Sequence, residues 1–293
     1  MKASENSAKI GLCGLIGYPL GYTVSPIMHN AAFESLGIGY LYLPFKVRAE
    51  GLKRAIEGVR VLNIRGLNVT MPHKVAIIPL LDELDPLAEK IGAVNTIVNS
   101  GGILKGYNTD AEGFLKALLE RSIKPEGKSI VVLGAGGASH AVSLILAQRG
   151  ANLCILNRLQ GLKRAKELAG RISKISPRKA RALELNRENL NGVLAEADIL
   201  VNTTSVGMSP SIDETLVPAE LLRPGLIVYD IVYNPVRTKL LSEAEAAGAK
   251  TIPGLEMLLR QGALAFKLWT GREAPIEVMQ QAAIKWLEEY EKK

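Results

Sequence analysis

The sequence is poor in the residues that build disulfide frameworks, metal centres and stacking platforms. Its 293 residues include two cysteines, Cys13 and Cys154, each inside a short apolar run and neither in a Cys-x-x-Cys spacing. Two isolated thiols in such surroundings read as reduced core residues, which argues against a disulfide-stapled fold or a zinc ribbon. The three histidines, His29, His73 and His140, are scattered and make no ligand pair, so no metal is expected. Aromatic residues make up only 5% of the chain. With so few rings available to stack on bases, the net charge of +7 fits small anionic ligands better than nucleic acid. The densest basic stretch runs from Arg158 to Arg181 and includes Lys163, Arg164, Lys166, Arg171, Lys174, Arg178 and Lys179, with no aromatic among them. It reads as a solvated helix face next to an anionic ligand. No apolar run reaches the ~20 residues of a membrane-spanning helix, and no signal-peptide core follows the polar opening Met1–Lys9. A cytoplasmic protein without membrane contact is therefore expected.

What the chain does have is alternation. Strand-like runs at Ile10–Ile16, Tyr40–Phe45, Gly66–Thr70 and Val94–Asn99 are interleaved with helical spacing at Pro26–Leu36 and Gly51–Val59. A second series has strands at Ser129–Leu133, Ala151–Leu156, Asp198–Asn202, Leu226–Tyr229 and Lys250–Ile252. Its helices are Gly137–Gln148, Leu162–Ile172 and Thr238–Ala247, with Leu255–Thr270 and Ile276–Tyr290 at the end. The fold class is α/β with two domains, parallel strands in both and a ligand cleft between them. Ala111–Leu119 reads as the joining helix. The expected boundaries are 1–110 with 256–293 for one domain and 111–255 for the other.

The second series opens with a cofactor signal. A strand, Ser129–Leu133, runs into Gly134-Ala135-Gly136-Gly137-Ala138-Ser139 and then a helix. The first glycine allows a tight turn, and the second lets the backbone approach a pyrophosphate resting on the helix N-terminus. The third small position, Ser139, allows close helix–strand packing. The next strand ends in Asn157-Arg158, where an NAD site usually has an acidic residue. An amide and a guanidinium suit a 2′-phosphate, so NADP is expected.

Four motifs in the first series place polar groups at strand ends. In Gly17–Asn30, the hydroxyls of Thr23 and Ser25 precede a helix whose free amides suit a carboxylate; Ser25 also reads as its N-cap, with Pro26 at the first helical position. In Asn68-Val69-Thr70-Met71-Pro72-His73-Lys74, alternation puts Asn68 and Thr70 on one side. The others are Gly92-Ala93-Val94-Asn95-Thr96 and Gly106-Tyr107-Asn108-Thr109-Asp110.

Taken with the glycine loop, Asn157-Arg158, Asn202–Met208, Tyr229–Pro235 and Gly254–Gln261, these motifs closely resemble the shikimate dehydrogenase family from Gly17 to Gly271. The resemblance implies an N-terminal α/β substrate domain and a Rossmann-type domain. It implies reversible NADP-dependent reduction of 3-dehydroshikimate to shikimate, a step in aromatic amino-acid biosynthesis. Lys74 and Asp110 look like the catalytic pair. Asn68, Asn95 and Gln261 look like ligands of the substrate hydroxyls, and Thr23 and Ser25 like its carboxylate binders, with Thr70 and Tyr233 nearby. Gly134, Ala135, Gly136, Gly137, Ala138, Asn157, Arg158, Thr203, Thr204, Ser205, Val232 and Gly254 would hold the cofactor. The partner is a small molecule, and either a monomer or a homodimer fits. Two departures keep a dual quinate/shikimate dehydrogenase using NAD or NADP open: Tyr22-Thr23 where the family often has His-Ser, and Leu159 where it usually has Thr. A non-catalytic dinucleotide sensor would need the glycine loop but not Lys74, Asp110 and the amides.

Overall fold

The computed structural model describes residues 10–21, 23–176, 178 and 180–291. The polar opening, Tyr22 and Lys179 lie outside the described residues. The chain divides into two compact units, one holding the residues up to Thr109 and those from Gln261 onward, the other Asp110–Arg260.

The first unit begins β1 (Gly11–Gly17), α1 (Ser25–Ser35), β2 (Tyr40–Lys46), α2 (Leu52–Val61), β3 (Gly66–Val69) and α3 (His73–Ala76). It continues β4 (Glu83–Leu84), α4 (Pro86–Ile91), β5 (Thr96–Ser100) and β6 (Ile103–Tyr107). Local chemistry explains the boundaries. On α2, Leu52, Ile56 and Val59 fall at helical spacing and are the buried face. For α4, Asp85 Oδ1 accepts from Leu87 N at 2.9 Å, Pro86 takes the first turn, and Gly92 ends the helix at φ 69°.

The sheet order is β2-β1-β3-β5-β6-β4. The expectation of an all-parallel sheet is corrected here. β1 pairs parallel with β2 and β3, but β5 runs antiparallel to both β3 and β6. The cause is local: Gly101 and Gly102, at φ 63° and 94°, form a two-residue hairpin between Ser100 and Ile103. This reversal brings the start of β5 and the end of β6 to the carboxyl end of β3, with Asn68 opposite Thr96 and Thr96 opposite Tyr107. The core beneath includes Ile16, Leu67, Ile77, Ile97 and Leu104.

The chain enters the second unit in α5 (Thr109–Leu119), followed by β7 (Ser129–Leu133), α6 (Gly137–Gln148), β8 (Asn152–Asn157), α7 (Leu162–Ile175), β9 (Arg181–Glu184) and α8 (Arg187–Leu194). Then come β10 (Ile199–Asn202), β11 (Ile227–Asp230), α9 (Lys239–Ala246) and β12 (Lys250–Ile252). Two helices complete the chain, α10 (Gly254–Thr270) and α11 (Ile276–Glu291). The second sheet is parallel throughout in the order β12-β11-β10-β7-β8-β9. Its four inner strands, β7, β8, β10 and β11, are mainly buried and apolar, as parallel strands under helices are, whereas the edge strands β9 and β12 are partly exposed. The chain order reverses between β7 and β10, the crevice where such sheets bind ligands. The basic stretch is divided: α7 buries Ala165, Leu168, Ala169 and Ile172 and exposes its charges, whereas Arg181 starts a strand.

α11 packs on α1, and Trp269 of α10 enters the first sheet, donating its indole N–H to Ile97 O at 3.0 Å. Gly66 makes room for it: a Cβ there would lie 2.1 Å from the indole nitrogen.

Candidate active site

In the first unit, the strand ends build a buried polar network. Asn95 Oδ1 accepts from Thr109 N at 2.7 Å, and Asn95 Nδ2 donates to Thr109 Oγ1 at 3.0 Å and to Gln261 Oε1 at 3.4 Å. Asn68 Nδ2 donates to Thr96 Oγ1 at 3.1 Å and to Asn95 O at 3.3 Å. Asn68, Asn95 and Gln261, expected together from the sequence, therefore meet, and Gln261 arrives from a helix far along the chain. Lys74 lies on α3, half-buried, and its carbonyl accepts from Val94 N at 2.7 Å, tying it to the segment that carries Asn95. Thr70 is half-buried at the end of β3.

The start of α1 differs from the expected N-cap. Ser25 is the first helical residue, Val24 precedes it, and no side-chain cap bond forms. Instead Thr23 Oγ1 accepts from Ser25 N at 3.4 Å. Asp110 is buried in the first turn of α5 and Tyr233 is half-buried after β11, both in the second unit.

The second unit carries the glycine loop. Gly134 takes φ +101°, and a Cβ on it would sit 2.9 Å from Thr204 Cγ2. Gly136 is exposed before α6, with nothing within 4 Å of where a Cβ would stand. Ser139 is fully buried and donates Oγ–H to Gly134 O at 2.8 Å, locking helix to loop. An open glycine backbone before a twelve-residue helix fits a dinucleotide's pyrophosphate. Arg158 is exposed at the end of β8. Asn157 is turned inward: its Nδ2 donates to Gly161 O at 3.0 Å and its Oδ1 accepts from Arg158 N at 3.0 Å, so the amide shapes the turn that presents Arg158.

Two residues without an expected role tie the neighbouring loops. Asp230 accepts from Asn202 Nδ2 at 2.9 Å, Val232 N at 3.1 Å and Thr238 Oγ1 at 2.7 Å. Asn202 Oδ1 in turn accepts from Thr204 Oγ1 at 2.7 Å. Burial pushes the Asp230 carboxyl up to about 6, against the pull of its three donors. Among the described residues no group of His, Cys, Asp and Glu could hold a metal, and no helix is long and apolar enough to cross a membrane.

Three family profiles match the chain: the shikimate dehydrogenase substrate binding domain at residues 15–97, shikimate / quinate 5-dehydrogenase at 117–231, and the shikimate 5′-dehydrogenase C-terminal domain at 254–284. Over 281 residues, 96% of this chain and 98% of the relative, the sequence is 50% identical to a shikimate dehydrogenase (NADP(+)) of Dehalococcoides mccartyi strain CBDB1. The chain belongs to the shikimate dehydrogenase family. Solved members have the same fold. A shikimate dehydrogenase in complex with NADP+ is similar at TM-score 0.90 and 46% identity, with 96% of each chain covered. Shikimate 5-dehydrogenase from Listeria monocytogenes, in complex with shikimate and NAD, is similar at TM-score 0.88 and 42% identity, covering 96% of this chain and 99% of that one.

Proposed function

We propose that the chain catalyses the reversible NADP-dependent reduction of 3-dehydroshikimate to shikimate, a step toward the aromatic amino acids. The observation that carries this reading is the buried network of Asn68, Asn95, Thr109 and Gln261, built at the strand ends next to the segment that holds Lys74. Such a set of amides and hydroxyls suits a small, densely hydroxylated substrate. The hydroxyls of Thr23 and Ser25 suit its carboxylate, with Thr70 and Tyr233 as further substrate contacts; the amides that open α1 are already taken, by Thr23 Oγ1 and by the carbonyl of Val24.

Bound NADPH supplies the hydride. Gly134–Ala138 and the start of α6 would hold its pyrophosphate, Arg158 its 2′-phosphate, and Thr203–Ser205, Val232 and Gly254 the rest. Lys74 holds a proton at Nζ, stabilises the negative charge growing on the substrate oxygen, and passes the proton to it. Asp110 is the second proposed acid–base residue. In the oxidation direction the same groups work in reverse, Lys74 Nζ taking the proton from the substrate hydroxyl as the hydride leaves for NADP+. The enzyme is placed in the cytoplasm, as a monomer or homodimer, acting on small molecules only.

The test is turnover of shikimate and of quinate, each with NADP and with NAD. Shikimate with NADP is expected to be the fastest pair, falling by about a thousandfold in Lys74→Ala, the scale of a lost acid–base group. Equal or faster quinate or NAD turnover would replace this reading with the broader dehydrogenase that Thr23 and Leu159 leave open. Folded protein that binds NADP but turns over nothing would defeat the enzymatic reading.

A further inference from the structure

We propose that Tyr42 is a positioning residue that fixes the polarity of the Asn68 amide, so that Asn68 presents a hydrogen-bond acceptor to the substrate. The inference rests on the reading above that Asn68 binds a substrate hydroxyl. It begins with Asn95 O, a backbone carbonyl that can only accept, 3.3 Å from one arm of the Asn68 amide. That arm must be the NH2. Its two hydrogens go to Asn95 O and Thr96 Oγ1. The other arm is then the carbonyl oxygen, which lies 2.8 Å from the Tyr42 hydroxyl. Tyr42 therefore donates, and flipping the amide would set acceptor against acceptor at Asn95. Asn68 is left with one lone pair on Oδ1, and a substrate group that meets it must be a hydroxyl giving its proton. A keto or ether oxygen in that place would be rejected.

The Tyr42 ring is held to this task. It is fully buried on β2 and stacks on His29 with centroids 4.5 Å apart and 14° between planes. Trp269 packs tilted against both rings, at 5.3 Å from His29 and 5.9 Å from Tyr42. Asn30 of α1 clamps the Tyr42 backbone, accepting from its N–H at 2.7 Å and donating to its carbonyl at 3.0 Å. The hydroxyl thus stands on a rigid base, while the amide it steers has no covalent restraint on which way round it sits.

Steady-state kinetics of Tyr42→Phe, Asn68→Ala and the double variant test this. Tyr42→Phe keeps the ring and removes only the donor. The KM for shikimate is expected to rise about tenfold, the scale of one hydrogen bond lost in a dry site, with kcat within about twofold and the KM for NADP unchanged. If Tyr42 acts through Asn68, the double variant matches Asn68→Ala alone. A melting curve like the wild type's confirms that the fold is retained. An unchanged shikimate KM in Tyr42→Phe, beside a raised one in Asn68→Ala, overturns the positioning role and leaves the binding role of Asn68 standing. Effects that multiply in the double variant also overturn it, because Tyr42 would then act independently of Asn68. An Asn68→Ala enzyme with normal KM removes both the inference and the reading it rests on.

Discussion

In α1 the chain buries an imidazole completely and gives neither ring nitrogen a hydrogen-bond partner. His29 serves there as a flat ring against Tyr42, and burial pushes its pKa from 6.5 down to about 3. A depressed pKa on a base means that the unfolded chain takes up the proton first. The fold therefore has its full stability from this site above pH 6.5 and loses it as pH falls toward 3. His29→Phe removes that proton uptake. In urea melts at pH 7.5 and pH 5, the variant is expected to gain up to about 2 kcal/mol on the wild type at the lower pH, whatever offset its packing introduces. A difference that does not change with pH would refute the account. Asp230 works in the other direction. Its raised pKa favours the neutral carboxyl in the fold, so its contribution is full below pH 3.8 and is lost as pH rises through about 6.

At the scale of the element, the β7–α6 turn separates two uses of glycine. Gly134 needs its left-handed φ of +101° and has Thr204 at its back, whereas Gly136 has an ordinary φ of −95° and open space. Gly134→Ala is expected to cost about 1–3 kcal/mol in strain and to lower both melting temperature and NADP affinity. Gly136→Ala should leave the melting temperature unchanged and still weaken NADP binding by titration calorimetry, because only the approach of the ligand is obstructed. Normal NADP affinity in Gly136→Ala would move the pyrophosphate elsewhere. This element was legible in the sequence because strand, glycine turn and helix are local signals. The hairpin at Gly101-Gly102 has an equally local sign, but the beta–alpha rhythm around it is the stronger pattern and points to a parallel strand. The inward turn of Asn157 and the hydroxyl of Tyr42 had no such sign. Both depend on partners that sequence spacing does not reveal: a carbonyl one turn on, and an amide on another strand.

For the whole molecule, each unit has its own buried core, one around Ile16, Leu67 and Ile97 and the other around Val131, Leu156 and Leu200. Separate cores predict separable unfolding. Scanning calorimetry is expected to show two transitions. Saturating NADP should raise chiefly the one that reports Asp110–Arg260, and shikimate, with most of its proposed contacts in the first unit, chiefly the other, each by the linkage of ligand to the state that binds it. A single transition shifted equally by both ligands would count against independent units. The division into two α/β series was readable from the rhythm of the sequence. The return of the last helices to the first unit came from family resemblance and not from any pattern in the residues themselves.

That return has a consequence for synthesis. The second unit is one unbroken stretch of chain and needs nothing beyond Arg260 to close its core. The first needs more. Until the residues from Gln261 onward emerge, α1 waits for α11, the space beside Gly66 waits for Trp269, and Asn95 waits for Gln261. A message cut short before Gln261 would leave a product with an intact glycine loop and an unfinished first unit, its apolar seams open to chaperones and proteases.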